Sequence, residues 1–160
     1  DASLAVSAGA ASVAGVRLLR SRRGFGAGVT VLSDRSALIE VVGNLLDNGI
    51  KYRANGRAGR GSWVTVGAIR LRDVVRIDVV DNGIGISAQH LGRIFESGWR
   101  VHDGVGRGNP EGLGLGLASV AKMLKALSGH RIKVVSRLGR GTRFSIYVPC
   151  SRRDGRFKGR

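Results

Sequence analysis

The chain is poor in several residue types, and each shortage excludes a class of protein. One cysteine, Cys150, stands among 160 residues, which excludes an internal disulfide and fits a reducing compartment. No apolar run approaches the roughly 20 residues that a membrane-spanning helix needs. Residues 2–16 are interrupted by Gly9 and Gly15 and lack the basic leader of a signal peptide. Since the chain opens on Asp1 rather than Met, we expect a cytoplasmic piece of a longer protein.

Acidic residues are also scarce. Eleven Asp and Glu face 27 Lys and Arg, a formal net charge of +16, and the excess clusters in residues 17–23, 53–60 and 152–160. Such a field attracts nucleic acid, anionic lipid or acidic proteins without specificity. Aromatic residues make up only 5% of the chain, and none alternate with the basic clusters as a single-strand binding platform requires. We therefore interpret the charge as solvated loops and a basic tail, with no specific nucleic-acid partner.

Periodic segments predict an α/β (α+β) two-layer sandwich, in which helices cover one face of a mixed, mostly antiparallel sheet. Period-two patterns indicate strands over residues 63–71 and 74–80 and a hairpin over 131–136 and 142–148. Weaker strand signals occupy residues 16–19 and 29–32.

Helical spacing of Leu38, Val42, Leu45 and Leu46 predicts a long helix. Its N-cap should be Ser33 or Asp34, and it should end near residue 52 or 53. A short helix capped by Ser87 should reach Phe95, and a second long helix should occupy residues 113–127. Residues 96–111, rich in glycine, are interpreted as a mobile loop.

The segment Asp81-Asn82-Gly83-Ile84-Gly85 follows the second predicted strand directly. It places a carboxylate at a strand end, beside two glycines that let another group approach the backbone closely. A fixed acceptor beside a flat slot suits an exocyclic amine such as N6 of adenine. The pattern alone is weak evidence, because turns use the same residues.

Asn44 and Asn48 lie four residues apart in the first long helix and therefore share a face, with Glu40 one turn earlier and Lys51 and Tyr52 one turn later. An amide oxygen can coordinate Mg²⁺ without adding charge, and a nearby lysine can pair with a phosphate. Asparagine is a poor helix former, so two of them in mid-helix favour a function over an incidental polar face.

A glycine-rich stretch precedes the second long helix, with the sequence Gly112-Leu113-Gly114-Leu115-Gly116. Glycine in a helix costs roughly 1 kcal/mol relative to alanine, so these residues do not serve helix stability. They suit a helix N-terminus whose N–H groups approach phosphate oxygens. Arg100, at the start of the predicted mobile loop, is free to swing toward a terminal phosphate.

Together these motifs resemble the ATP-binding domain of sensor histidine kinases, within the gyrase, Hsp90, histidine kinase and MutL (GHKL, Bergerat-fold) superfamily. The match covers residues 29–149 and has four successive motifs. They are Asn44-Leu-Leu-Asp-Asn48-Gly-Ile-Lys51-Tyr52, Asp81-Asn-Gly83-Ile-Gly85, Ile94-Phe95-Glu96 with Arg100, and Gly112-Leu113-Gly114-Leu115-Gly116. The hairpin Gly139-Arg-Gly141-Thr142-Arg-Phe144 is similar to the one that closes the family's adenine pocket.

The resemblance implies a role for each matched position. Asp81 accepts from the adenine amine with Thr142 supporting it, Gly83 and Gly85 shape the pocket floor, and Tyr52 packs near the base. Asn48 and Asn44 hold Mg²⁺. Lys51 and Arg100 contact phosphate, and together with Asn44 they form the implied catalytic set. The phosphate cradle consists of Gly112, Leu113, Gly114, Leu115 and Gly116. The implied cofactors are ATP and Mg²⁺.

Two further expectations follow from the resemblance. The superfamily's hydrolysing members carry a water-activating Glu where this chain has Asn44, and Asn cannot act as a general base, which favours phosphate transfer over hydrolysis. Gly49 stands where the family usually has Ala and should loosen the first long helix, and Arg53 replaces a common Thr or Ser without removing a ligand.

The family's phosphoacceptor histidine is not found in this sequence, since His90, His102 and His130 lack its motif. The expected partners are therefore a histidine-containing dimerisation domain of the parent kinase and a response regulator. Residues 1–28 would form the domain edge or a linker, and residues 150–160 a basic tail. The parent could be anchored in the inner membrane. The alternatives are a serine-directed anti-sigma-factor kinase, a protein kinase of the mitochondrial type, a non-catalytic ATP-binding module, and nucleic-acid binding through the basic surface.

Overall fold

The computed structural model describes residues 17–20, 30–53, 61–99 and 114–150, which form a five-stranded sheet and two α-helices. The strands are β1 Arg17–Arg20, β2 Trp63–Arg70, β3 Val74–Asp81, β4 Arg131–Arg137 and β5 Gly141–Pro149. The helices are α1 Arg35–Lys51 and α2 Gly116–Ala126. The strand order is β1-β2-β3-β5-β4, with β1 parallel to β2 and every other pair antiparallel. The predicted mixed, mostly antiparallel sheet is confirmed.

The register of the strands explains why both helices lie on one face of the sheet. Val79 pairs with Phe144, which pairs with Val134, so these three side chains project from the same face. Buried residues of both helices join them in one core, among them Leu45 of α1 and Val120 of α2. The alternate positions carry polar residues, including Asp78, Lys133 and Ser145. The resulting sandwich has one helix-covered face.

The helix α1 begins and ends close to the predicted positions. Asp34 is its N-cap, and the Asp34 carboxylate accepts a hydrogen bond of 2.7 Å from the Ala37 N–H. The last helical residue is Lys51, and the Tyr52 N–H donates to the Asn48 carbonyl at 2.9 Å. One full side of α1 is buried, which fixes its rotation relative to the sheet.

Three expected elements differ from the structure. Of residues 29–32, only Val31 makes a β-bridge, to Cys150, while residue 29 lies outside the described residues. The short helix is a single 3₁₀ turn, Ala88–His90, followed by turns, and the Ser87 side chain makes no capping bond. The helix α2 begins at Gly116 rather than at residue 113, because Gly114 has a left-handed φ of 69° that cannot belong to an α-helix.

The expected mobile loop falls mainly on residues outside the described part of the chain, because only residues 96–99 of it are described. The weakly predicted strand at residues 16–19 is confirmed as β1, which lies one position later, at Arg17–Arg20. In the described ranges, no helix has both the length and the apolar character needed to cross a membrane.

Candidate functional site

Asp81 is the last residue of β3, and two backbone N–H groups hold its carboxylate in place. Gly83 donates to Oδ1 at 2.8 Å and Thr142 donates to the same oxygen at 3.2 Å. Burial raises the pKa of Asp81 above its ordinary value of 3.8, and the bonds from Gly83 and Thr142 oppose that rise. Both bonds end on Oδ1, so Oδ2 keeps its lone pairs for another donor.

The two glycines after Asp81 allow a close approach of backbone from two other elements. A Cβ on Gly83 would collide with the Tyr52 carbonyl oxygen at the end of α1, and would lie 2.9 Å from Asp81 Oδ1. Gly85 has a φ of 71°, and a Cβ there would collide with the Arg137 carbonyl of β4. The turn can therefore be pinned between α1 and the β4–β5 hairpin only because both positions lack a side chain.

A hydroxyl network lies next to Asp81, where β4 and β5 pair. Ser136 pairs with Thr142, and their hydroxyl oxygens are 2.9 Å apart. The Ser136 hydroxyl also accepts from the Ile86 N–H at 2.8 Å and donates to the Gly141 carbonyl at 2.9 Å. Sequence reasoning missed Ser136, since its three partners lie up to 50 residues away and only the strand register reveals them.

We call this group the sheet end of the site: Asp81, Gly83, Gly85, Ser136 and Thr142. A second group of residues, which we call the helix end of the site, contains Asn44, Asn48, Gly114 and Gly116. The sheet end is tied together by hydrogen bonds between β3, β4 and β5. Tyr52 connects the two, because the Ile84 N–H donates to its carbonyl oxygen at 3.0 Å.

At the helix end, the two amides of α1 face the first turn of α2. A Cβ built on Gly116 would lie 3.5 Å from Asn44 Oδ1 and 3.9 Å from Asn48 Nδ2. The Asn48 Nδ2 atom is buried and has no hydrogen-bond partner within the described ranges. A buried amide without a partner costs free energy, so it is typical of a group that a ligand completes.

The donor set at the helix end fits a hard cation such as Mg²⁺. Asn44 and Asn48 lie one helical turn apart in α1. Rotation of the Asn48 side-chain amide by 180° exchanges its oxygen and nitrogen atoms, so its oxygen can take the place of the buried Nδ2. Mg²⁺ usually takes one or two protein oxygens, with phosphate oxygens and water completing its octahedron. Within the described part of the chain, no cluster of three or more His, Cys, Asp or Glu side chains could hold a metal instead.

The first turn of α2 has no side-chain cap, and its backbone chemistry suits an anion. Leu115 is the N-cap residue and contributes no side-chain hydrogen bond to the first turn. The backbone N–H groups of that turn thus lack a capping side chain, beside the two amides of α1. Of the predicted cradle, Gly114, Leu115 and Gly116 are described, whereas Gly112 and Leu113 lie outside the described residues, as does Arg100.

Lys51 and Tyr52 occupy the exposed end of α1. The Tyr52 side chain is 39% exposed, while its backbone carbonyl is fixed against Gly83. Lys51 is the last residue of α1, and its side chain is exposed. The structure therefore brings Tyr52 to Asp81 and Gly83 through its backbone, and leaves the Lys51 ammonium group available to an anionic ligand.

Comparisons with known proteins identify a family and a fold for this chain. Residues 33–152 match the family of histidine kinase-, DNA gyrase B- and HSP90-like ATPases. The sensor histidine kinase AtsR of Burkholderia thailandensis is 34% identical over 121 residues, covering 76% of this chain. The chain spans 19% of the length of that relative.

Two solved structures have the same fold. The mycobacterial sensor histidine kinase MprB superposes with a TM-score of 0.73 at 25% identity, and the match covers 95% of this chain and 93% of that one. Full-length ShkA, whose structure was solved in complex with AMPPNP, superposes with a TM-score of 0.76 at 24% identity over 94% of this chain and 29% of that one.

Proposed function

Since the chain belongs to the family of histidine kinase-, DNA gyrase B- and HSP90-like ATPases, we propose that it supplies the kinase activity of a sensor histidine kinase. It is a catalytic ATP-binding domain of the histidine kinase type. Its reaction would be transfer of the ATP γ-phosphate to a histidine on a separate dimerisation domain. The observation that carries this proposal is the half-buried Asp81 carboxylate, which is fixed at Oδ1 and available at Oδ2.

The sheet end would bind the adenine base. Asp81 Oδ2 would accept from the exocyclic amine, and the turn through Gly83 and Gly85 would form a flat floor beneath the ring. Thr142 holds the Asp81 carboxylate through its N–H. Partial burial of that carboxylate strengthens a hydrogen bond to it, because the local dielectric is lower than in water. The exposed Tyr52 ring would pack near the base.

The helix end would bind the phosphates. Asn44 and Asn48 would hold Mg²⁺, which when bound neutralises phosphate charge in the transition state of phosphoryl transfer. The first turn of α2, with Gly114, Leu115 and Gly116, would donate N–H groups to phosphate oxygens. Lys51 would add a point charge, and we propose that Gly112, Leu113 and Arg100 complete the phosphate contacts.

The chemistry of this end favours transfer over hydrolysis. A general base must take a proton from water, and the amide of Asn44 cannot do so. Glu40 lies one turn before Asn44 on an exposed part of α1, away from Gly116. The residues present can bind, orient and neutralise the nucleotide, so the nucleophile would come from outside this domain.

The partners and boundaries complete the proposal. The phosphoacceptor would be a histidine of the parent's dimerisation domain, and the phosphate would pass on to a response regulator in the cytoplasm. Residues 29–149 would be the ATP-binding domain, with residues 1–28 at its edge or in a linker and residues 150–160 as a basic tail.

The test is a phosphotransfer assay. The domain is mixed with the parent's dimerisation domain and γ-labelled Mg·ATP, and we expect acid-labile, alkali-stable label on one histidine. A dimerisation domain with that histidine changed to alanine is the matched control. Label on a serine would replace the proposal with a serine-directed kinase. ATP binding without any transfer would replace it with a non-catalytic module.

A further inference from the structure

The hydroxyl of Ser136 has no role in the proposed function, although it is the most connected side chain at the sheet end. It lies within hydrogen-bond distance of three groups: the Ile86 N–H at 2.8 Å, the Gly141 carbonyl at 2.9 Å and the Thr142 hydroxyl at 2.9 Å. Ile86 follows the Asp81 turn, and Gly141 and Thr142 begin β5. One side chain therefore connects the pocket turn to the hairpin.

Proton counting fixes the direction of each of these bonds. A serine hydroxyl has one proton to donate and two lone pairs to accept with. The Ile86 N–H can only donate, and the Gly141 carbonyl can only accept. The Ser136 proton therefore goes to Gly141, and the third contact is satisfied only when the Thr142 hydroxyl donates to Ser136.

The Thr142 hydroxyl consequently has lone pairs left and no proton for a ligand. Thr142 lies beside Asp81, since its N–H donates to Asp81 Oδ1 at 3.2 Å. It is 6% exposed, so bulk water does not compete for its hydroxyl. With Asp81 Oδ2 also an acceptor, the two side chains together present acceptors alone.

We propose that Ser136 is a positioning residue that makes the site selective for adenine over guanine nucleotides. The proposal rests on the proposed function and adds its base selectivity. Adenine carries an amine at C6, which donates, where guanine carries a carbonyl, which accepts. A guanine carbonyl placed against these two acceptors would be left without a donor, as would Asp81 Oδ2, and a buried unpaired polar group is costly.

Removal of the Ser136 hydroxyl should change the selectivity through Thr142. In Ser136→Ala, the Thr142 proton is released and its hydroxyl can turn to donate to a guanine carbonyl. The affinity for the guanine nucleotide should rise relative to that for the adenine nucleotide. We expect the ratio of the adenine affinity to the guanine affinity to fall by about tenfold, because the guanine nucleotide gains a hydrogen bond and one to the adenine nucleotide weakens.

The experiment measures the affinities of the imidodiphosphate analogues of ATP and GTP, with Mg²⁺, by calorimetry. The variants are Ser136→Ala, Thr142→Val, the double variant, and Thr142→Ser as the matched control that keeps a hydroxyl. We expect the ratio of ATP-analogue to GTP-analogue affinity to fall in Ser136→Ala and in Thr142→Val, and to stay at the native value in Thr142→Ser. In the double variant, the ratio should equal that of Thr142→Val alone.

A purely structural Ser136 would give a different pattern. Ser136→Ala would then melt at a lower temperature while keeping the full ratio of affinities, and that result overturns the proposal. Thr142→Val with an unchanged ratio overturns it too, even where Ser136→Ala does not fold. If the native, folded domain binds neither nucleotide, the proposed function fails, which is a separate outcome.

Discussion

The two ends of the site differ in how far the protein alone satisfies their polar groups. At the sheet end, Asp81 Oδ1 receives two N–H bonds, and the Ser136 hydroxyl is saturated by three partners. At the helix end, Asn48 Nδ2 is buried without a partner in the described ranges, and α2 starts without a side-chain cap. The difference predicts that the proposed base pocket is formed by the fold, whereas the proposed phosphate and metal contacts form when the ligand binds.

Asp81→Asn should have the largest effect on ligand affinity. The asparagine oxygen can still accept from Gly83 and Thr142, but its amide group faces the adenine amine as a second donor. We expect ATP-analogue affinity to fall on the order of 100-fold, the effect of losing a charged hydrogen bond. Calorimetric titration measures it.

The melting temperature is the control for Asp81→Asn. The substitution removes a partly buried charge, so the variant should melt no lower than the native domain. A variant that binds the ATP analogue normally would show that the sheet end is not the base pocket. A variant that loses binding only because it unfolds would show instead that the carboxylate serves the fold.

Asn48→Ala probes the opposite end and should have a smaller effect. Removal of a metal-binding amide should cost about tenfold in affinity for the ATP analogue with Mg²⁺, and little without Mg²⁺. Because Asn48 Nδ2 has no partner to lose, stability should not fall by the amount expected for a broken hydrogen bond. Titrations with Mg²⁺ and with EDTA measure the difference, and equal losses in both would contradict a metal role.

Gly49→Ala tests how closely α1 must approach the base pocket. A Cβ there would lie 2.9 Å from Val64 Cγ2 and 3.3 Å from Asp81 Cβ, so the helix or the Val64 side chain must shift. The strain should outweigh the gain in helix propensity, with a net loss of about 1 kcal/mol in the free energy of unfolding. Denaturant unfolding measures it.

Gly92→Ala is the matched control for Gly49→Ala, because nothing lies within 4 Å of a Cβ at that position. It should leave stability and ATP-analogue affinity almost unchanged. A stabilising Gly49→Ala would instead support the sequence-based expectation that Gly49 merely loosens α1, which the fold does not test.

The pH dependence of stability tests the burial of Asp81 and should be the smallest effect. Its pKa is raised in the folded protein by burial, so the folded state holds the proton more tightly than the unfolded state. Lowering the pH from neutrality through the raised pKa should therefore stabilise the native domain relative to Asp81→Asn. Denaturant unfolding of both proteins at several pH values measures the trend, and a constant difference between them would contradict a raised pKa.

Most of the fold could be predicted, because its elements have clear periodicity. Strand β4 alternates exposed and half-buried positions, β2 and β3 each bury two residues four positions apart, and α1 buries residues at helical spacing after the recognisable cap Asp34. The predicted start of α2 was wrong by three residues. Apolar spacing continues through Leu113 and Leu115, but Gly114 has a left-handed backbone conformation and therefore cannot be part of the helix. Ser87 is the N-cap residue as predicted, but it precedes only a 3₁₀ turn, and its hydroxyl makes no capping bond and is buried without a partner among described residues.

The candidate site was predictable only where a motif is local in sequence. Asp81 with its glycines, and Asn44 with Asn48, are contiguous patterns whose chemistry can be read directly. Ser136 could not be found in this way, because its importance depends on Ile86, which lies 50 residues away, and on Thr142, its partner in the β4–β5 register. The roles of Arg100, Gly112 and Leu113 stay predictions, since these residues lie outside the described ranges.

The most direct test is the titration of the native domain with an ATP analogue, with and without Mg²⁺, and with adenosine. A preformed sheet end and a ligand-completed helix end predict that Mg²⁺ strengthens binding of the analogue but leaves binding of adenosine unchanged. A folded domain that binds neither compound, or one whose adenosine affinity depends on Mg²⁺ as strongly as that of the analogue, would contradict the account.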